Sequence, residues 1–472
     1  MAAIVTNKFR LNNAEQFYES FSEANTSFYL FVGRPQPWTA TTPFGGGTDS
    51  APPTPLDNVD DEYMYFRDML AAKRIAAADI QYAIPRHNWT TGTIYDYYRG
   101  DYGAQWSSTA SDIVKTVNNG TNLWASTTLF YVLSSTNNVY KCMWNNGGAA
   151  STVEPTGTSN VELNTADGYW WKYMYSLTTT QITDFLTADF MPVVTNSTVA
   201  GAADDGAVIH YKIMRGGSNY ASGGNFSATD QVLQGDGVLR GGTAATFNIT
   251  VTGGVVTAVT SVNDGGKYTF ADCNIDGISG IGTPATSAIV TPIIGPPGGH
   301  GYNAVNELGG FYIMTNTTIS GTEGSGDFVV DQDFRRVGIV LNPNNYDGSP
   351  ATAATRNALK SMTFSGTPGN FLADETISAP SGAAGVVVAW DSTTKILKYI
   401  QTQWTGVNAS GSEIAFVATD VVTSASSATG TIASITNPEI AYYSGSTIYV
   451  EDRAPISRAT DQTENIKLIV EF

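Results

Sequence analysis

Apolar positions along this chain fall mostly in short strand-like runs. SFYLFVG, residues 27–33, is aromatic and β-branched and stops at Gly33, as a strand does. In the following RPQPW, Pro35 and Pro37 exclude helix and ladder pairing and leave Trp38 on an extended loop. DGYWWKYMYSL sets Tyr169, Trp171, Tyr173 and Tyr175 on one strand face and Trp170, Lys172 and Met174 on the other. ATFNITVTGGVVTAVTSV reads as two alternating strands around Gly253-Gly254, a hairpin. DFRRVGIVLNP, 333–343, is a strand ending at Asn-Pro. In the last segment Ile466, Leu468, Val470 and Phe472 alternate on one face, which predicts a strand packed inside a sheet, with TIYV at 447–450 as its natural partner. The charges between these strands then occupy a loop held at a sheet end.

Helical spacing is confined to a few places. Asn13 with Gln16 predicts a capped N-terminal helix carrying Phe17, Tyr18 and Phe21 on one face. A longer helix is predicted from Asp60 to about Ile80, with Tyr63, Phe66, Met69 and Leu70 as its stripe. TTTQITDFL allows a short helix before Pro192.

The middle of the chain changes character. Residues 206–298 are poor in charge and rich in Gly, Thr and Val, and YKIMRGGSNY is echoed by TSVNDGGKY: a strand, then Gly-Gly, then Tyr. Over 359–437, ADETISAPSGAAGVVVAWD is echoed by SGSEIAFVATDVVTSASSATGTIAS. Two copies of each are too few for a solenoid or propeller and fit small β modules. The resulting expectation is a mainly β, minor α+β chain with a few helices: a multi-domain β-sandwich-like core with inserted small β modules.

Composition narrows the function classes. A chain of 472 residues with 42% hydrophobic residues can bury large cores, and 14% charged residues with 48 Gly suits turns and strands. A net charge of −18 disfavours sequence-independent nucleic-acid binding. MAAIVTNKFR lacks the apolar core of a secretion signal and no apolar run reaches spanning length, so a soluble product of a cytoplasm is expected. Cys142 and Cys273 form no metal or disulfide pattern.

Candidate chemistry is sparse. His87, His210 and His300 stand apart, at no metal-ligand spacing. Glu451, Asp452, Asp461 and Glu464 are the nearest thing to a carboxylate pair for glycoside chemistry, but Arg453 and Arg458 lie among them, which favours a salt-bridged loop. GDG at 235–237 is not a complete calcium loop. No catalytic residue, metal or cofactor is assigned. A glycan-binding or glycan-cleaving role through the two β modules, with Trp390 and Trp404 as exposed-loop aromatics, is the alternative.

Five stretches in order, AIVTNKFR, FVGRPQPW with APPTPLDN, AIPRHNW, DGYWWKYMYSL and IYVEDRAPISRATDQTENIKLIVEF, resemble the wedge subunit encoded by gene eight of T-even-like contractile-tailed phages. The resemblance covers roughly 1–200, parts of 300–345 and 438–472. It divides the chain into wedge core at 1–205, 299–358 and 438–472 and inserted modules at 206–298 and 359–437, a long form of the family. It implies a non-enzymatic virion protein of the tail baseplate, a homodimer of β-sandwich-like domains that binds other baseplate wedge proteins, relays contraction mechanically and assembles in the host cytoplasm. Interface candidates are Arg34, Trp38, Arg86, Trp89, Glu451, Arg453, Arg458 and Asp461.

Overall fold

Every residue of the strand Phe28–Gly33 is buried. Alternation explains this: Phe28, Leu30 and Val32 enter one apolar cluster, Tyr29 and Phe31 another. Such a strand needs cover on both faces and neighbours on both edges. It pairs antiparallel with Phe334–Leu341 and with Met69–Ile75, inside a five-stranded sheet completed by Thr355–Asn357 and Ser446–Ile456. Tyr65 and Phe66 of the helix Val59–Arg67 belong to the cluster on one face; Ile319, Ile466 and Leu468 belong to that on the other. Phe31 lies opposite Gly338, and its ring takes the space a side chain at Gly338 would need.

The computed structural model describes residues 5–39, 46–100, 104–108, 113–118, 122–229, 232–320, 332–401, 406–457 and 463–472. They divide into two compact units, Met1–Glu15 with Gln81–Met314 and Ile469–Phe472, and Gln16–Ile80 with Thr315–Leu468. The chain is mainly β, with five α-helices among the described residues, as the strand patterning predicts.

The sheet just described belongs to the second unit. So does a closed six-stranded barrel, Lys360–Ser365, Ile396–Ile400, Ala384–Asp391, Thr376–Ser378, Val421–Ser424 and Thr429–Thr436 in spatial order. Its interior is filled by Met362, Phe364, Val387, Leu397 and Tyr399. Trp390 is not an exposed-loop aromatic. It sits in a barrel strand, half-buried and edge-on to Phe364 and Phe371 at 5.7 and 5.3 Å. Trp404 lies outside the described residues.

In the first unit the aromatic strand Tyr169–Ser176 pairs with Asn138–Asn145, as its alternation anticipates. Tyr169, Trp171 and Tyr173 share one cluster, but Tyr175 joins Met174 in another. The cause is a bulge: the register passes from Val139↔Tyr175 to Tyr140↔Tyr173, which leaves Met174 unpaired and reverses the faces beyond it. A buried ion pair, Lys141 with Glu307, stands behind this sheet, and Glu307 also accepts from the N–H groups of Gly301 and Asn303. The hairpin Thr246–Thr252 and Val255–Asn263 turns at Gly253-Gly254, both with positive φ, 59° and 81°. The sequence echo has a structural meaning. Tyr220 and Tyr268 are both buried, and each hydroxyl accepts a backbone N–H, from Ala288 at 2.6 Å and Ala245 at 3.0 Å.

Three elements differ from expectation. The N-terminal helix runs Asn7–Ser20, so Asn13 lies inside it and caps nothing. The helix expected over 60–80 stops at Arg67; Asn58 caps it through the N–H of Asp61, and Met69–Ile75 and Ile80–Pro85 are strands. Met69–Ala72 is buried on both faces, and pairing with Phe28–Gly33 outweighs helix propensity there. At the C-terminal end, Ser446–Ile456 pairs with Phe334–Leu341, whereas Thr463–Glu471 pairs with Tyr312–Ser320, so TIYV is not the partner of the last strand. Both strands feed one core nonetheless: Tyr449, Ile456, Ile466 and Leu468 meet in it. Val470 and Phe472 are half-buried.

Candidate functional site

The second unit holds a buried charge cluster beneath the RPQPW loop. Gly33 ends its strand, and Arg34 turns the chain with φ 57°, its N–H donating to the Asp68 carbonyl at 2.9 Å. Asp68 is the residue at which helix Val59–Arg67 ends. Two adjacent arginines on Phe334–Leu341 point to opposite sides of that strand. Arg336 holds Asp452 through Nε at 2.7 Å and a terminal nitrogen at 3.2 Å, and Asp68 at 3.0 and 3.2 Å. Arg336 and Asp452 are directly opposite in the ladder. The side chains of Arg336, Asp452 and Asp68 are 5%, 2% and 3% exposed. Arg335 binds Asp49 at 2.9 and 3.1 Å, Asp333 at 3.0 Å, and the Pro35 carbonyl.

Trp38 closes the cluster. Its backbone N–H donates to Asp49 at 2.8 Å and its indole N–H to the Arg453 carbonyl at 3.1 Å. Arg34 lies over its ring at 4.7 Å, and Arg336 lies over the Tyr65 ring at 4.4 Å. Burial pushes the Asp68 carboxyl above its ordinary value, against the pull of Arg336 and Arg34. The Arg335 hydrogen bond holds Asp49 below the usual carboxylate range. Buried charges are costly unless paired: Arg335 and Arg336 face carboxylates, while Arg34 donates to the Pro37 carbonyl at 3.1 Å. The arrangement fixes the loop, the helix end and two strands against each other. Each carboxylate is taken by a guanidinium, which suits a tie rather than a proton-transferring group. Among the described residues no three His, Cys, Asp or Glu side chains gather as metal ligands.

Of the interface candidates, Arg34 and Trp38 are brought together and are 4% and 3% exposed, so they serve the chain's own interior. Arg453 gives Trp38 its carbonyl while its side chain stays 37% exposed, 4.0 Å from Glu451. Glu451 accepts from the Tyr449 hydroxyl at 3.0 Å. Glu451, Asp452 and Arg453 lie within a strand, not in the loop expected, and the cation that holds Asp452 is Arg336 rather than Arg453 or Arg458. Arg458 and Asp461 lie outside the described residues. Arg86 and Trp89 are in the first unit and half-buried. Arg86 donates to Asn88 at 2.9 Å and to the Thr187 carbonyl at 2.8 Å, and the Trp89 indole donates to Ser151 at 3.2 Å. Sequence reasoning missed Asp68, Arg335 and Arg336. The available signal is an Arg-Arg pair inside an apolar strand run, where charge demands partners.

Among the described residues no helix is long and apolar enough to cross a membrane. Residues 3–202 match the family model described as Bacteriophage T4, Gp8. No curated protein matches the chain. The family match supports a phage baseplate wedge structural role.

Proposed function

We propose, from the Gp8 match over residues 3–202, that this protein is a structural component of the tail baseplate wedge of a contractile-tailed phage. In this reading it assembles as a homodimer in the host cytoplasm, binds neighbouring wedge subunits through fixed surfaces and passes on the baseplate's change of shape by mechanical contact. The single observation that carries the reading is the match itself. The buried charge cluster supports it physically. A relay that works by contact needs its loops held to its sheet, and Arg335 and Arg336 do this for RPQPW, Asp68 and Asp452. The segments 206–298 and 359–437 are read as modules added to a wedge core, making this a long form.

The test is solution assembly. The full-length protein is weighed by light scattering, alone and mixed with purified wedge subunits from the same phage. The proposal expects a dimer that enters a larger complex with at least one of them. A monomer that joins none contradicts it.

A further inference from the structure

Helix Val59–Arg67 buries Met64, Tyr65 and Phe66 yet leaves apolar residues in water on its other side. Leu56, Val59 and Tyr63 are 55%, 75% and 38% exposed. Val59 and Tyr63 share a helix face by their spacing. Leu56 is held in place: its N–H donates to the Tyr65 hydroxyl at 3.2 Å, and that hydroxyl donates to its carbonyl at 2.8 Å. Tyr63 stacks on Tyr443 with ring centroids 3.6 Å apart and planes 18° apart. Tyr443 is itself 36% exposed. The N–H of Thr447 donates to Glu62 at 3.3 Å and so ties the last strand of the five-stranded sheet to this helix; Ile448, next along that strand, is 41% exposed. Single exposed apolar residues are ordinary. Here Leu56 and Tyr63 are fixed in position by the chain's own bonds and stacking, which lowers the cost of ordering them on contact.

The surroundings are acidic. Asp57 and Asp60 are exposed in the same stretch. Asp61 and Glu62 add negative charge while engaged by Asn58 and Thr447. The cation at the other end of the helix, Arg67, is taken by Glu413 and Tyr443.

We propose that this face docks a protein partner presenting apolar side chains flanked by Lys and Arg. Charge complementarity selects that chemistry. A second copy is the poorer fit, because a two-fold contact centred here sets Asp57 and Asp60 against their own copies. The proposal rests on the structural reading above, in which the partner is another baseplate subunit.

The experiment titrates the full-length protein calorimetrically against each purified neighbouring baseplate subunit of the same phage, at low and moderate salt. Val59→Ser and Leu56→Ser are expected to weaken one of these complexes about tenfold each without lowering the melting temperature. Asp57→Asn with Asp60→Asn is expected to weaken the same complex and flatten its salt dependence. If all variants bind as the parent does, the docking face is overturned while the wedge role stands. If the parent binds no subunit, the wedge role fails and the partner with it. If the Ser variants instead abolish self-association in light scattering, the face is a self-contact and the proposed partner is wrong.

Discussion

The Arg336 guanidinium meets the Asp452 carboxylate with two hydrogen bonds, 2.7 and 3.2 Å long, across directly paired positions of neighbouring strands. Its remaining nitrogen reaches Asp68, so one side chain joins two strands and a helix end. Arg336→Met strands two buried carboxylates and is expected to cost about 3–5 kcal/mol. Asp452→Asn keeps a hydrogen-bonding group there and should cost less, about 1–3 kcal/mol. Urea unfolding of the full-length variants checks both the size and the order.

Trp38 tests the loop's attachment separately. Trp38→Phe removes the indole N–H from the Arg453 carbonyl and leaves that acceptor without its donor. The expected cost is about 1–2 kcal/mol, seen as a lower urea midpoint with unchanged slope.

Gly338 is set in a central strand with the Phe31 ring where its side chain would be. Gly338→Ala forces that ring or the Tyr449 carbonyl to move and should cost about 1–3 kcal/mol. Gly338→Ala combined with Phe31→Leu should recover part of the loss if the ring is the obstacle, as a double-mutant cycle would report.

His210 predicts an acid-sensitive joint in the first unit. Its ring lies 5.5 Å from Trp144 and 4.5 Å from Trp170, and its Nε2 has no hydrogen-bond partner among the described residues. Burial lowers its pKa to about 4. The folded state therefore favours the neutral ring. Its contribution is fully present above the ordinary value near ~6.5 and is lost as pH falls through that value toward the folded one. The stability of the parent relative to His210→Phe is therefore expected to fall by about 3 kcal/mol as pH drops across that window, measured by chemical unfolding at each pH.

The parts of the fold that were legible in the sequence have local causes. Phe28–Gly33 declares itself by aromatic and β-branched residues and a terminal glycine, and Gly253-Gly254 by the positive φ its turn needs. The Gly-Gly-Tyr echo was visible as a repeat, but that both tyrosine hydroxyls accept a backbone N–H was shown only by the structure. Met69–Ile75 was hidden because a run buried on both faces has no period of its own, so the helix before it absorbs it. The charge cluster was hidden for another reason. Asp68 and Asp452 lie 268 and 116 positions from Arg336, so no window of sequence contains the pairing. What could be read there was only the anomaly of two adjacent arginines in an apolar strand.

The central claim is that the protein acts as a fixed part of the baseplate wedge. Cryo-microscopy of tail baseplates purified from the phage that encodes it tests this most directly. The account predicts density in every wedge that fits the five-stranded sheet and barrel of Gln16–Ile80 with Thr315–Leu468. Baseplates that are complete and contain no such density would contradict it.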